Sequence, residues 1–413
     1  MSTELDQRIG NGQYNVDDTV TENVEDVVEN VEAIDLRELP YDGRQIVCEN
    51  GYQTIQDAWN AASDGDMVVV TGEYDPSEED FPIVFDYREK EVSISGNHSR
   101  TEIDASHQNE HILEVIGVGV GDFRNVPLIQ NLKLVGGRNA VRARGAPNAK
   151  FYNLVAFLQD GHGFVVDHYD GRGAQGTRFV NCQAWTCGGS GWHFTHDAQA
   201  HGSLLFGCNA TWNGYNGTLP GMTIRGFSTR VLASTIQVNS GTGIVADFGG
   251  SITVKDCYME ANGREADHAV NVRFEGVSGG VIESNYLNAA TYGSSGRQTN
   301  ARNRSALHVG VELHNTYRCQ FRANVLGRRL YQDGVVAITG SSSLDNDVYE
   351  STHHYTGRSG GMPNFWARDR GTRTRSHGII RPGSLSGVEG MYEGDRAIDA
   401  NGTLRVWMNG SWN

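Results

Sequence analysis

Two short stretches concentrate the side chains able to move protons. Residues 160–170 read DGHGFVVDHYD and residues 192–201 read WHFTHDAQAH, which brings Asp160, His162, Asp167, His168, Asp170, His193, His196 and Asp197 into two neighbouring segments. An imidazole within hydrogen-bond reach of a carboxylate can act as general base or acid, and two carboxylates flanking a glycosidic bond can cleave it. The candidate catalytic residues are therefore Asp160, His162, Asp167, His193 and Asp197. Glu260, Asp267 and His268 make a thinner version of the same mix. Asp, His, Gly and Asn also cap strand ends and solvate corners, so turns without chemistry are the competing reading. His162, His193 and His196 follow no fixed ligand spacing, so no metal is expected, and no cofactor motif occurs.

A second set of residues suits binding. Phe157, Trp185 and Tyr258 fall on outward positions of a repeat, four residues after its anchor for the first two and two residues after it for Tyr258, with Trp212 one place further along its copy and Glu260 near Tyr258. Aligned outward rings can stack on sugar rings while Asn, Gln and acidic side chains bond hydroxyls. The same rings can instead be buried between chains of an oligomer.

These residues hang on one repeated sentence: LIQNLKLVGG, KFYNLVAFLQDG, RFVNCQAWTCGG, LLFGCNATWNG, RVLASTIQVNSG and ITVKDCYMEANG. Anchored on Asn131, Asn153, Asn181, Gly207, Ser234 and Asp256, the copies lie 22, 28, 26, 27 and 22 residues apart, with weaker copies at Ser284, Ala323 and Asp345. Such a period marks a solenoid, since one unit cannot bury its own apolar face. Positions one and three after the anchor are small or apolar (Leu154 and Ala156, Cys182 and Ala184, Cys208 and Ala210), while positions two and four are mixed. That alternation is a strand with one face in and one out. A second strand opened by glycine follows most copies (GHGFVVD, GSGWHFT, GTGIVAD, GVVAITG), and no helical stripe intervenes. The spacing predicts an all-β chain, a right-handed parallel β-helix. Asn285 and Asn324 share the inward slot and predict a buried amide ladder.

Composition sets the limits. The 413 residues carry a formal charge of −16, and only Lys90, Lys133, Lys150 and Lys255 are lysine among 34 basic residues. An acidic chain lacks the basic stripe a nucleic-acid partner needs. Acid-rich, lysine-poor surfaces resemble those of proteins working in high salt; a plainly acidic protein is the alternative. The six cysteines form no CxxC pair; Cys182, Cys208 and Cys257 share the inward slot as buried thiols, with a Cys182–Cys208 bridge a lesser option. No apolar run is long enough for a signal peptide or membrane insertion.

Residues 41–105 carry a more particular pattern: a short helix from Thr54 to Ala62, a strand from Met67 to Thr71, a Gly-Glu-Tyr turn and two further strands. Thr54, Ile55, Ala58, Ala61, Gly65, Asp66, Val69, Gly72 and Tyr74, with Val92–Gly96 and Thr101–Ile103 behind them, resemble the entry of the pectate-lyase-like β-helix superfamily. In that superfamily a helix covers the first open rung. The resemblance runs from about Gly51 to Tyr349. It implies the fold; for activity it is permissive, because the superfamily holds lyases, hydrolases, epimerases and non-enzymatic viral tailspikes. Its lyases pair acidic calcium ligands with an Arg or Lys base and its hydrolases use two or three aspartates, and neither pattern stands in register in this chain.

Three regions are expected. Residues 1–40 form an acidic N-terminal stem in which Val20, Val24, Val27, Val31 and Ile34 make a two-heptad seam, suited to three or more strands. Residues 41–350 form the capped β-helix. Residues 351–413 form a loop rich in arginine and a terminal β-hairpin around Asn409-Gly410, resembling hairpins on virion fibres. Together these read as a homotrimeric spike or fibre on a virion surface, binding a host-surface glycan or glycoprotein, joined to other virion proteins through its N-terminus, of a halophilic host. A polysaccharide lyase or glycoside hydrolase on the same scaffold is the alternative.

Overall fold

A computed structural model describes residues 45–48, 54–71, 74–97, 101–119, 128–264, 270–288, 309–326 and 334–339, Ser343, Asn346, and short strands at 347–348, 352–353, 367–369, 375–376, 379–380, 396–398, 404–408 and 411–412. The valine seam of residues 20–34 lies outside these residues, as do Asp267 and His268.

Nearly every described strand belongs to one of three all-parallel sheets, with thirteen, eleven and ten strands. One turn of the coil is short. Lys150–Tyr152 lies in the first sheet, Val155–Phe157 in the third and Phe164–Asp167 in the second, and Arg178–Val180 then returns to the first sheet. Each strand pairs in register with its copy one turn on, as in Ala156 opposite Ala184 and Ala184 opposite Ala210. The chain is a parallel β-helix, as the period predicts.

The corner between first and third sheets turns on one residue in the left-handed region. Asn131, Asn153, Asn181, Gly207, Ala233, Asp256, Ser284 and Ala323 all have φ between 48° and 62°. Asn, Asp and Gly tolerate that region best, which is why they anchor the repeat. At Gly207 a Cβ would stand 2.4 Å from the Asn181 side-chain oxygen, so any other residue there would have to displace that amide. In the fifth copy the corner is Ala233, one residue before the expected anchor Ser234. Ser234 instead holds the inward slot, where its hydroxyl accepts from Cys208 N at 3.1 Å.

The interior is filled by rows. Phe151 and Phe179 stack at 4.9 Å in the first sheet, and Phe164 and Trp192 stack at 4.9 Å in the second. Their bulk faces Ala156, Ala184 and Ala210 on the third sheet, so large and small residues fill each rung together. The expected Asn285–Asn324 ladder is present, with Asn285 Nδ2 donating to Asn324 Oδ1 at 2.9 Å. A second ladder runs along the corner between third and second sheets: Asn213 Nδ2 donates to Asn239 Oδ1 (3.1 Å), Asn239 to Asn262 (2.9 Å) and Asn262 to Asn271 (3.0 Å).

At the N-terminal end the helix Ile55–Ala61 packs Ile55, Ala58 and Trp59 onto the first rungs. Its free amides are satisfied by Thr54, which accepts from Asp57 N, and by the carboxylate of Glu79, which accepts from Ile55 N at 2.7 Å and Gln56 N at 3.1 Å. At the other end the strands run past residue 350. Thr352–His353, Ala367–Asp369 and Arg375–Ser376 continue the third, second and first sheets, so Arg368 lies on a strand where sequence reading expects a surface loop. Leu404–Met408 and Ser411–Trp412 then pair antiparallel around Asn409-Gly410.

Candidate functional site

Pleating points two residues of each third-sheet strand outward, and stacking turns these into two rows along the solenoid axis. One row runs Val155, Gln183, Asn209, Thr235, Tyr258, Tyr286; the other runs Phe157, Trp185, Thr211, Gln237, Glu260, Asn288. Four of the expected binding residues, Phe157, Trp185, Tyr258 and Glu260, thus share one face. Phe157 and Trp185 meet edge to face at 5.9 Å, and Trp185 is 48% exposed. Lys133 sits over the Phe157 ring at 5.4 Å while bonding Glu102 at 2.7 Å. Three rungs on, Tyr258 and Tyr286 stack at 5.0 Å with planes 3° apart. The Tyr258 hydroxyl donates to Glu260, and Asn288 Nδ2 donates to the other Glu260 oxygen at 3.0 Å.

Trp212 is set apart. It occupies the corner after its strand with φ 61°, and the Arg264 guanidinium lies 5.0 Å above its ring. The chain after it, residues 213–221, is longer than the corners of the two preceding rungs and folds back over them. Tyr215 donates its hydroxyl to Gln159 O at 3.3 Å, and Asn216 Nδ2 donates to Asp160 O at 2.8 Å. Leu158, Tyr215 and Leu219 are exposed along these corners. Sequence reading misses Tyr215, because it falls outside the repeat, and also Tyr286, although Tyr286 stands at the same place after its anchor as Tyr258.

The candidate catalytic residues divide. His162 and His193 stack at 4.3 Å with planes 10° apart, the first in a corner and the second outward on the strand Trp192–Phe194. His162 Nδ1 accepts from Ser190 N at 2.9 Å, which leaves its proton on Nε2. Burial first, then the His193 ring and Arg138, pull the His162 pKa down to about 4. Burial and Arg225 lower His193, against the pull of Asp167. Asp167 ends its strand on the outer face of the second sheet. Arg142 (2.7 Å), Thr195 (2.8 Å) and His168 N (2.9 Å) bond it. Burial opposes its ionisation, but these partners hold its carboxyl below the ordinary range. Asp160 and Asp197 are exposed, in corners at opposite ends of the second-sheet strands, roughly 10 Å or more apart along the strand direction. Asp197 bonds His196 at 3.0 Å. So His162, His193 and Asp167 form one neighbourhood, and Asp160 and Asp197 stand on either side of it.

Further along the second sheet the outward charges neutralise one another: Arg225 pairs with Asp247 and Arg273 with Glu312 (3.0 Å). Among the described residues no group of three or more His, Cys, Asp or Glu could hold a metal ion. All six cysteines are buried and free, Cys182 and Cys208 included.

No protein-family model and no curated protein matches the chain. Solved structures do. Tailspike protein 2 of Escherichia coli O157:H7 bacteriophage CAB120 is 12% identical with a TM-score of 0.42, covering 63% of this chain and 34% of that one. Tailspike protein 3 of bacteriophage CBA120 is 10% identical with a TM-score of 0.39, covering 87% and 65%. An alginate lyase from Paenibacillus sp. str. FPU-7 is 15% identical with a TM-score of 0.48, covering 76% and 96%. The likeness is one of architecture: the parallel β-helix. The chain spans about a third of the first tailspike's length and just under two thirds of the second's.

Proposed function

We propose that this chain is the body of a virion spike that binds a host-surface glycan along the outer face of its third sheet. The observation that carries the reading is the pairing on that face of exposed and stacked rings (Trp185 with Phe157, Tyr258 with Tyr286) and, between them, two rungs of amides and hydroxyls. Rings offer flat apolar platforms at small entropic cost, and amides orient hydroxyl-rich ligands. A homotrimer is the natural assembly for a spike whose residues 20–34 repeat valines at heptad spacing. A halophilic host accounts for the charge of −16 carried almost without lysine.

Binding of the purified chain to host surface polysaccharide tests the glycan, and its loss in Trp185→Ala tests the face. Light scattering tests the trimer, and Val27→Asp with Val31→Asp weakens it if those valines form the stem. A melting temperature that is flat from low to multimolar KCl counts against the halophilic origin, since less screening should destabilise so acidic a surface.

A depolymerase is the second reading, favoured by the neutral His162–His193 pair beside Asp167. A lyase leaves unsaturated ends that absorb in the ultraviolet, a hydrolase only reducing ends. His193→Gln then abolishes cleavage while binding persists. Polysaccharide that keeps its length argues for binding alone.

A further inference from the structure

The outward rows of the third sheet differ in charge from those of the second. The second sheet alternates Arg142, Asp167, Arg225, Asp247, Arg273 and Glu312 on its outer side. On the third sheet the outward positions from Val155 to Asn288 contain no lysine or arginine and one carboxylate, Glu260. That carboxylate is recessed, at 8% exposure, and bonded by Tyr258 and Asn288. The two middle rungs offer Asn209, Thr211, Thr235 and Gln237, all neutral donors and acceptors.

A bound carboxylate, sulfate or phosphate group needs a guanidinium, an ammonium or several converging donors to replace its water. From Val155 to Asn288 the described strand positions of this face supply no cation. Lys133, at the near end, is already held by Glu102 and the Phe157 ring. The field of a chain of charge −16 also repels a polyanion before contact. Hydroxyls carry no such requirement.

The layout also has a direction. Trp185 and Tyr258 are three rungs apart, roughly 14 Å along the axis. A single sugar ring reaches only one of the two aromatic stations, whereas a chain lying along the axis reaches both and crosses the amides between them.

Resting on the glycan-binding reading above, we propose that the ligand of this face is an uncharged polysaccharide, bound as an oligomer along the solenoid axis. The test uses the full chain against immobilised dextran and mannan (neutral), alginate and polygalacturonate (uronates) and polysialic acid, at low and high salt, together with a length series of the retained polymer. The expected result is retention on a neutral polymer, unchanged by salt, with affinity rising over the first several sugar units. Trp185→Ala and Tyr286→Ala each weaken it at least fivefold, and their folds are checked by melting. Retention on a uronate or sialate polymer that salt abolishes and Trp185→Ala weakens overturns the uncharged class while the glycan reading stands. A monosaccharide that binds as tightly as the oligomer overturns the axial arrangement alone. Retention on none of the polymers overturns the inference and the glycan reading together.

Discussion

The imidazole of His162 lies face to face with that of His193, ring centroids 4.3 Å apart and planes 10° from parallel. Two rings so placed cannot both be charged without repulsion, and both are lowered, His162 to about 4.

This pair makes stability fall on acidification. The unfolded His162 titrates near the ordinary 6.5 and the folded one near 4, so between those values the unfolded chain binds the extra proton. Stability is full above pH 6.5 and is lost as pH falls toward 4, by on the order of 3 kcal/mol at most from His162. His193 adds in the same direction. Denaturant titrations at pH values of about 7.5, 6.5, 5.5 and 4.5 read the slope across that window. His162→Gln, which keeps an acceptor for Ser190 N, should flatten it.

The buried asparagine ladder should be costly to break. Asn239 Oδ1 accepts from Asn213 N and Nδ2, and its own Nδ2 donates to Ala210 O and Asn262 Oδ1. Asn239→Ala leaves several fully buried groups without partners, at about 3–5 kcal/mol. Asn216→Ala, which removes one exposed bond to Asp160 O, should cost less than about 1 kcal/mol. Equal shifts in urea midpoint for the two variants would refute the ladder's weight.

Sequence reading finds the solenoid because its period rests on a backbone constraint that recurs every turn. The left-handed corner selects Asn, Asp or Gly at Asn131, Asn153, Asn181, Gly207 and Asp256. Where the constraint is met by Ala233, the signal shifts by one residue, and Ser234 is read as the anchor. The aromatic face is legible for the same reason, since alternation carries Phe157, Trp185 and Tyr258 to one side. The second ladder is hidden because the corner holding Asn213, Asn239 and Asn262 is preceded by Trp212, Val238 and Ala261, residue types with no preference for the left-handed φ they adopt. The neighbourhood of Asp167 is only half legible. Sequence proximity groups it with Asp160 and Asp197, while the strand between the corners holds those two apart.

The thiols should be silent in the native state. Burial pushes Cys182, Cys187 and Cys257 up to about 12, and Cys208 well above its ordinary value. Thiolate is the reactive form, so a disulfide-exchange reagent should label none of them in the folded protein. In denaturant all six should react. A denatured count of four would reveal a Cys182–Cys208 bridge.

The two tryptophans of the candidate site should separate binding from folding. Trp185 stands on the outer face, 48% exposed, and meets Phe157 edge to face at 5.9 Å. Removing its ring leaves the core rows untouched, so Trp185→Ala should weaken glycan binding by about 1–3 kcal/mol and move the melting temperature little. Trp212 occupies a left-handed corner under Arg264 and beside the buried Asn213. Trp212→Gly relieves a conformation disfavoured for a bulky residue but forfeits the cation–π contact, two effects each of about 1 kcal/mol and opposite in sign. Stability should therefore change by less than about 1 kcal/mol, and affinity should stay within about twofold, since the ring does not share the face of Trp185. Calorimetric titration and thermal melts on both variants read the difference. Loss of binding in Trp212→Gly with Trp185→Ala unaffected would move the site off the third sheet and onto its corner.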